Sequence, residues 1–75
     1  MYIAETFIHV KEGLDLGARK ILDDKLRQLP GVIAPWFHPE KEHLLLIYYN
    51  PTKIQAVTLV AKLKTLGFHA RIFYL

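Results

Sequence analysis

The chain has 75 residues, room for one domain (1–75) and no more. Apolar side chains make up 52% of it, with four Phe, four Tyr and one Trp, a composition that excludes a disordered segment. Cysteine is absent, which rules out disulfides and thiolate metal sites, and the net charge of +3 comes from scattered basic residues rather than a run typical of nucleic-acid binders.

Met1 to Thr6 has no basic stretch leading into an apolar run, so it does not read as a signal peptide. From Thr6 to Lys11, Thr6/Ile8/Val10 alternates with Phe7/His9/Lys11, the period of a strand with two unlike faces. Glu12 to Gly17 reads as a loop, with Asp15 placed to cap the helix that follows. Ala18, Leu22, Leu26 and Leu29 recur at helical spacing, with Ile21 expected to widen their stripe, and Pro30-Gly31 stops the helix. Val32 to His38 is a second strand, confined to a sheet edge by Pro35, which has no N–H for a central ladder. A polar turn at 39–42 leads to a third strand, His43 to Tyr49, whose apolar run is too short to cross a bilayer. Ala56, Leu59, Val60, Leu63 and Leu66 mark a second amphipathic helix closed by Gly67, and Phe68 to Leu75 is the last strand. A cytoplasmic location is expected.

The order β-α-β-β-α-β with short connections predicts an α+β, ferredoxin-like sandwich. Two helices cover one face of a four-stranded antiparallel sheet, in strand order 4-1-3-2.

Leu29-Pro30-Gly31-Val32 after the first helix resembles the Leu-Pro-Gly-Val of heavy-metal-associated (HMA) domains, the family of small copper chaperones and of the N-terminal domains of metal-pumping ATPases. Tyr49-Asn50-Pro51 is similar to that family's Tyr-Asp-Pro. Leu59, Leu63, Leu66-Gly67-Phe68 and Ala70 are similar to its second-helix leucines and the start of its last strand. The resemblance spans nearly the whole chain and implies a metal-trafficking scaffold. It also implies that the family's Cys-x-x-Cys pair falls on Asp15 and Ala18, so the soft two-sulfur site that suits Cu(I) is lost.

The topology gathers His9, His38, His43 and His69 at the sheet edge where such relatives hold their ion. His9 and His69 are expected to oppose each other directly on neighbouring strands, close enough to chelate a divalent transition metal (Cu, Zn, Ni or Co). His43 is a third candidate ligand although its strand parity matches Leu45 and Ile47, and Asp15 is a more distant one. The competing reading is four ordinary surface imidazoles.

The sheet face away from the helices is expected to carry Phe7, Trp36, Leu44, Leu46, Tyr48, Phe73 and Leu75, with His9, His38, His69 and Arg71. Apolar side chains gathered on one exposed face point to an interface, most simply with a second copy of the chain. A metal-free interaction or dimerisation module is therefore the alternative to metal handling. RNA stacking on Phe7, Tyr48 and Phe73 is disfavoured, because the third strand lacks both the glycine-aromatic signature and any lysine or arginine. No nucleophile with a paired base, carboxylate pair or phosphate-cradling glycine loop suggests an enzyme. Neither nucleic acid nor membrane is an expected partner.

Overall fold

The alternation and helical stripes become, in order, β1 (Ala4–Val10), α1 (Leu16–Arg27), β2 (Val32–Phe37), β3 (Leu44–Tyr49), α2 (Ala56–Thr65) and β4 (Ala70–Ile72). These come from a computed structural model that describes residues 2–74. The sheet is antiparallel in the order β2-β3-β1-β4, which is the expected 4-1-3-2. Both helices lie on one face. Beneath them β1 contributes Ile8 and Val10, β3 contributes Leu45 and Ile47, and β4 contributes Ala70. The helices answer with Leu22 and Leu26 from α1 and Leu59 and Leu63 from α2, all fully buried. Each such side chain contributes about 1.5–3 kcal/mol relative to exposure in water.

Local chemistry sets the ends of α1. Asp15 is its N-cap, accepting through Oδ1 from the Ala18 N–H at 2.8 Å. Lys25 and Arg27 fall in its last turn, where cations complement the helix dipole. Ile21 turns out to be 56% exposed rather than part of the buried stripe, because the packed side of α1 runs through Ala18, Leu22, Leu26 and Leu29.

Beyond α1 the chain reverses at Gly31, which has φ +96°. A Cβ there would sit 2.9 Å from both Ile54 Cγ2 and Lys53 Cβ, so the turn requires glycine on two counts. The Gly31 carbonyl accepts from Asn50 N–H at 2.7 Å, and Asn50 Oδ1 accepts from Thr52 N–H at 3.0 Å, joining the two turns at that end of the sheet.

Pro35 behaves as its chemistry demands. The rung at His38 and Leu44 is hydrogen-bonded, so by alternation Pro35 and Ile47 form a non-bonded rung. The missing N–H of Pro35 therefore faces out from the sheet, on an edge strand. At the opposite edge β4 is shorter than the expected run from Phe68 to Leu75. The His69 N–H donates to Glu12 Oε1 instead of to a ladder carbonyl, which ends the strand at Ala70. Leu75 lies outside the described residues.

Candidate metal centre and the open sheet face

Strand register arranges the uncovered face in rows. Phe73 N–H donates to Phe7 O, Phe7 pairs with Leu46, and Leu46 pairs with Trp36, so one apolar row crosses all four strands. Leu46 at its centre is only 7% exposed although no helix covers it, while Trp36 at the rim is 44% exposed. Leu44, Leu46 and Tyr48 thus lie on the open face as expected. Tyr48 stands one row over, between Glu5 and Ala34, so it does not share a row with Phe7 and Phe73.

The next row toward the loop edge reads Arg71, His9, Leu44, His38. Here the register differs from expectation: Arg71, not His69, lies opposite His9. His69 is one rung further on, its carbonyl accepting from Lys11 N–H at 2.8 Å. Val10 pairs with Ala70, which enters the core beneath the helices, while the His69 N–H is taken by Glu12 Oε1 instead of the ladder. His9 and His69 still share the open face and line one depression, but as diagonal neighbours, a relation that separates Cβ atoms by roughly 7–8 Å.

The closer imidazole partner of His9 is His43. Their rings stack at 5.8 Å between centroids with planes 15° apart. Parity had placed His43 with Leu45 and Ile47, toward the helices. It precedes the first ladder residue of β3, however, and its ring turns instead to lie beside His9. His43 Nδ1 lies 2.9 Å from the Val10 carbonyl, which can only accept, so Nδ1 carries the proton and the Nε2 lone pair is free. A Zn–N bond of about 2.0–2.1 Å sets each ring centre roughly 3 Å from the metal, so two ligating rings stand up to about 6 Å apart. The His9–His43 separation falls within that span, and the rings, stacked nearly parallel, converge on one ion once one of them rotates about its Cβ–Cγ bond.

The other two histidines are engaged differently. His38 Nδ1 accepts from the Glu40 and Lys41 N–H groups at 3.0 and 3.1 Å, which fixes the proton on Nε2 and leaves neither nitrogen available to a metal. Glu12 clasps His69 with both carboxylate oxygens, Oε1 on the backbone N–H at 2.8 Å and Oε2 on Nδ1 at 2.5 Å. Those bonds from His69, side chain first and backbone second, lower the Glu12 pKa from 4.5 to about 2. With Nδ1 held by a carboxylate, Nε2 is the His69 nitrogen left for a metal, an arrangement common to metal-bound histidines. Glu12 read only as a loop residue in the sequence. Nothing local announces that it reaches 57 positions along the chain.

The loop where the resemblance implies two thiolates is built as a helix start. Asp15 is occupied by the Ala18 N–H. Arg19, whose role periodicity does not reveal, donates through Nε to the Leu14 carbonyl at 2.8 Å and lays its guanidinium over Phe37 at 5.9 Å. A fixed cation beside this loop opposes cation binding there. Among the described residues no group of three or more His, Asp or Glu side chains is arranged to hold a metal. Nor, among them, is any helix long and apolar enough to cross a membrane.

Sheet order β2-β3-β1-β4 with two helices on one face is the ferredoxin-like βαββαβ arrangement. Three solved structures share it. The copper-binding domain from HMA7, a P-type ATPase, is 13% identical, covers 93% of each chain and superposes with a TM-score of 0.82. Oxidised MerP from Ralstonia metallidurans CH34 is 10% identical over 97% of this chain and 100% of that one, at 0.84. The N-terminal domain of a potential copper-translocating P-type ATPase from Bacillus subtilis, solved in its Cu(I)-loaded state, is 14% identical over 95% and 88%, at 0.83. No protein-family model and no curated protein sequence matches the chain. At these identities the likeness is one of fold.

Proposed function

We propose that this domain handles a divalent transition metal through imidazole nitrogens at the loop edge of its sheet, with His9 and His43 as the primary pair and His69 as a further ligand. The observation that carries this reading is the His9–His43 ring pair at 5.8 Å, with the His43 proton directed onto the Val10 carbonyl and its Nε2 free. The copper-binding and copper-translocating proteins named for two of the similar structures support a metal-handling role for the fold. Imidazole favours borderline ions such as Zn(II), Ni(II), Co(II) or Cu(II) over Cu(I). Two donors leave the remaining coordination positions to water or a partner's side chain, which suits a site that passes its ion on.

Calorimetric titration with Zn(II), Ni(II) and Cu(II) tests the reading. Wild type binds one ion, His9→Ala and His43→Ala abolish binding, His69→Ala weakens it, and His38→Asn leaves it intact. Undiminished binding in both His9→Ala and His43→Ala sinks the proposal.

A second reading, a metal-free module that pairs with another copy or another protein through the open face, is favoured by the row Phe73-Phe7-Leu46-Trp36. Trp36 is the chain's one tryptophan, so its emission reports on that face directly. The module reading expects a blue shift with rising protein concentration, in step with a doubled sedimenting mass. A monomer at millimolar concentration with unchanged emission and no captured partner removes it.

A further inference from the structure

A separate feature lies on the far side of His9 from His43. Two successive rungs between β1 and β4 carry four basic side chains on the open face: His9 opposite Arg71, then Lys11 opposite His69. Lys64, in the last turn of α2, joins them around a single open depression of about 660 Å³, floored by Gly67, Phe68 and Ala70. The nearest carboxylate is Glu12, which is taken up by His69 at the rim and does not itself line the depression.

Among the described residues, the ion pairs are Arg27 with Asp23 and His69 with Glu12. Lys11, Lys64 and Arg71, which line the depression, thus have no acidic partner among those residues. Their summed charge favours an anion on this side of His9.

We propose that this depression binds the terminal phosphate or diphosphate of a small phosphorylated molecule. Three cations lining one depression suit a dianion better than a line of phosphodiesters, whose single charges need a track along a surface. Arg71 supplies a planar fork for two phosphate oxygens, and the lysines supply mobile point charges. The depression is open and wider than an inorganic ion needs. Phe68 gives the non-phosphate part of the ligand an apolar floor.

The test is an amide NMR titration of the whole chain with pyrophosphate, inorganic phosphate and chloride at matched ionic strength, in resin-treated, metal-free buffer so that metal handling plays no part. The expected result is saturable shifts at Lys11, Lys64 and residues 67–71, tightest for pyrophosphate and absent for chloride. Arg71→Gln and Lys64→Gln each weaken binding about tenfold. Arg71→Lys recovers part of the loss, and Lys53→Gln, at the other end of the sheet, changes nothing. All of these positions are exposed, so the variants keep the fold, which the same spectra verify. Linear shifts spread over every lysine overturn the proposal. So does unaltered affinity in Arg71→Gln, or binding of a single-stranded oligonucleotide across Phe7 and Trp36 with no response to pyrophosphate.

Discussion

Gly31 and Gly67 share a backbone conformation, φ +96° and +99°, but not a neighbourhood. A Cβ on Gly67 meets nothing within 4 Å, whereas one on Gly31 meets the side chains of Ile54 and Lys53 at 2.9 Å. Gly67→Ala therefore carries only the left-handed backbone penalty, about 1–2 kcal/mol. Gly31→Ala adds an overpacking term of about 1–3 kcal/mol, for a total of about 2–5 kcal/mol. In a domain this size 1 kcal/mol moves Tm by about 4–8 °C, so Gly31→Ala melts some 10 °C or more below wild type and clearly below Gly67→Ala. Urea denaturation followed by far-ultraviolet circular dichroism and Trp36 emission measures both. Ile54→Leu removes the offending Cγ2, so in the Gly31→Ala background it recovers part of the loss, a non-additivity of neighbouring sites. Equal destabilisation by the two alanines, or strict additivity in the double variant, would refute the steric argument.

Asp15→Ala removes the α1 cap and lowers stability by about 0.5–2 kcal/mol, and Asp15→Asn restores most of it, as chemical denaturation will show. Glu12 has a folded pKa of about 2 against 4.5, so the stability it confers is complete above pH 4.5 and lost as pH falls toward 2. Glu12→Gln thus differs from wild type at neutral pH and converges on it near pH 2; a gap that persists unchanged to pH 2 contradicts the clasp. Leu26→Ala, at a fully buried α1 position, costs about 2–5 kcal/mol by the same assay.

The architecture was legible because its signals are local. Period-two alternation from Thr6, leucines at helical spacing, the Pro30-Gly31 stop and Pro35 each act over a few residues, and together they admit one topology. The face assignment of Leu44, Leu46 and Tyr48 also followed from alternation alone. The site was less legible because it depends on contacts far apart in sequence. His69 sits one rung beyond the one facing His9, and its N–H is captured by Glu12, 57 residues away in sequence. His43 escapes its strand's alternation because it stands just before the ladder starts. The proton on His38 is fixed by two N–H groups of the hairpin turn, a conformation that composition does not specify.

Pro35 has a consequence for crowded solutions. Exposed strand rims recruit further strands and so seed fibrils. Here a ring replaces the outward donor on one rim, and the opposite rim offers only three ladder residues, Ala70 to Ile72. Backbone pairing with a further strand is therefore hindered at both rims, by the proline ring on one and by shortness on the other.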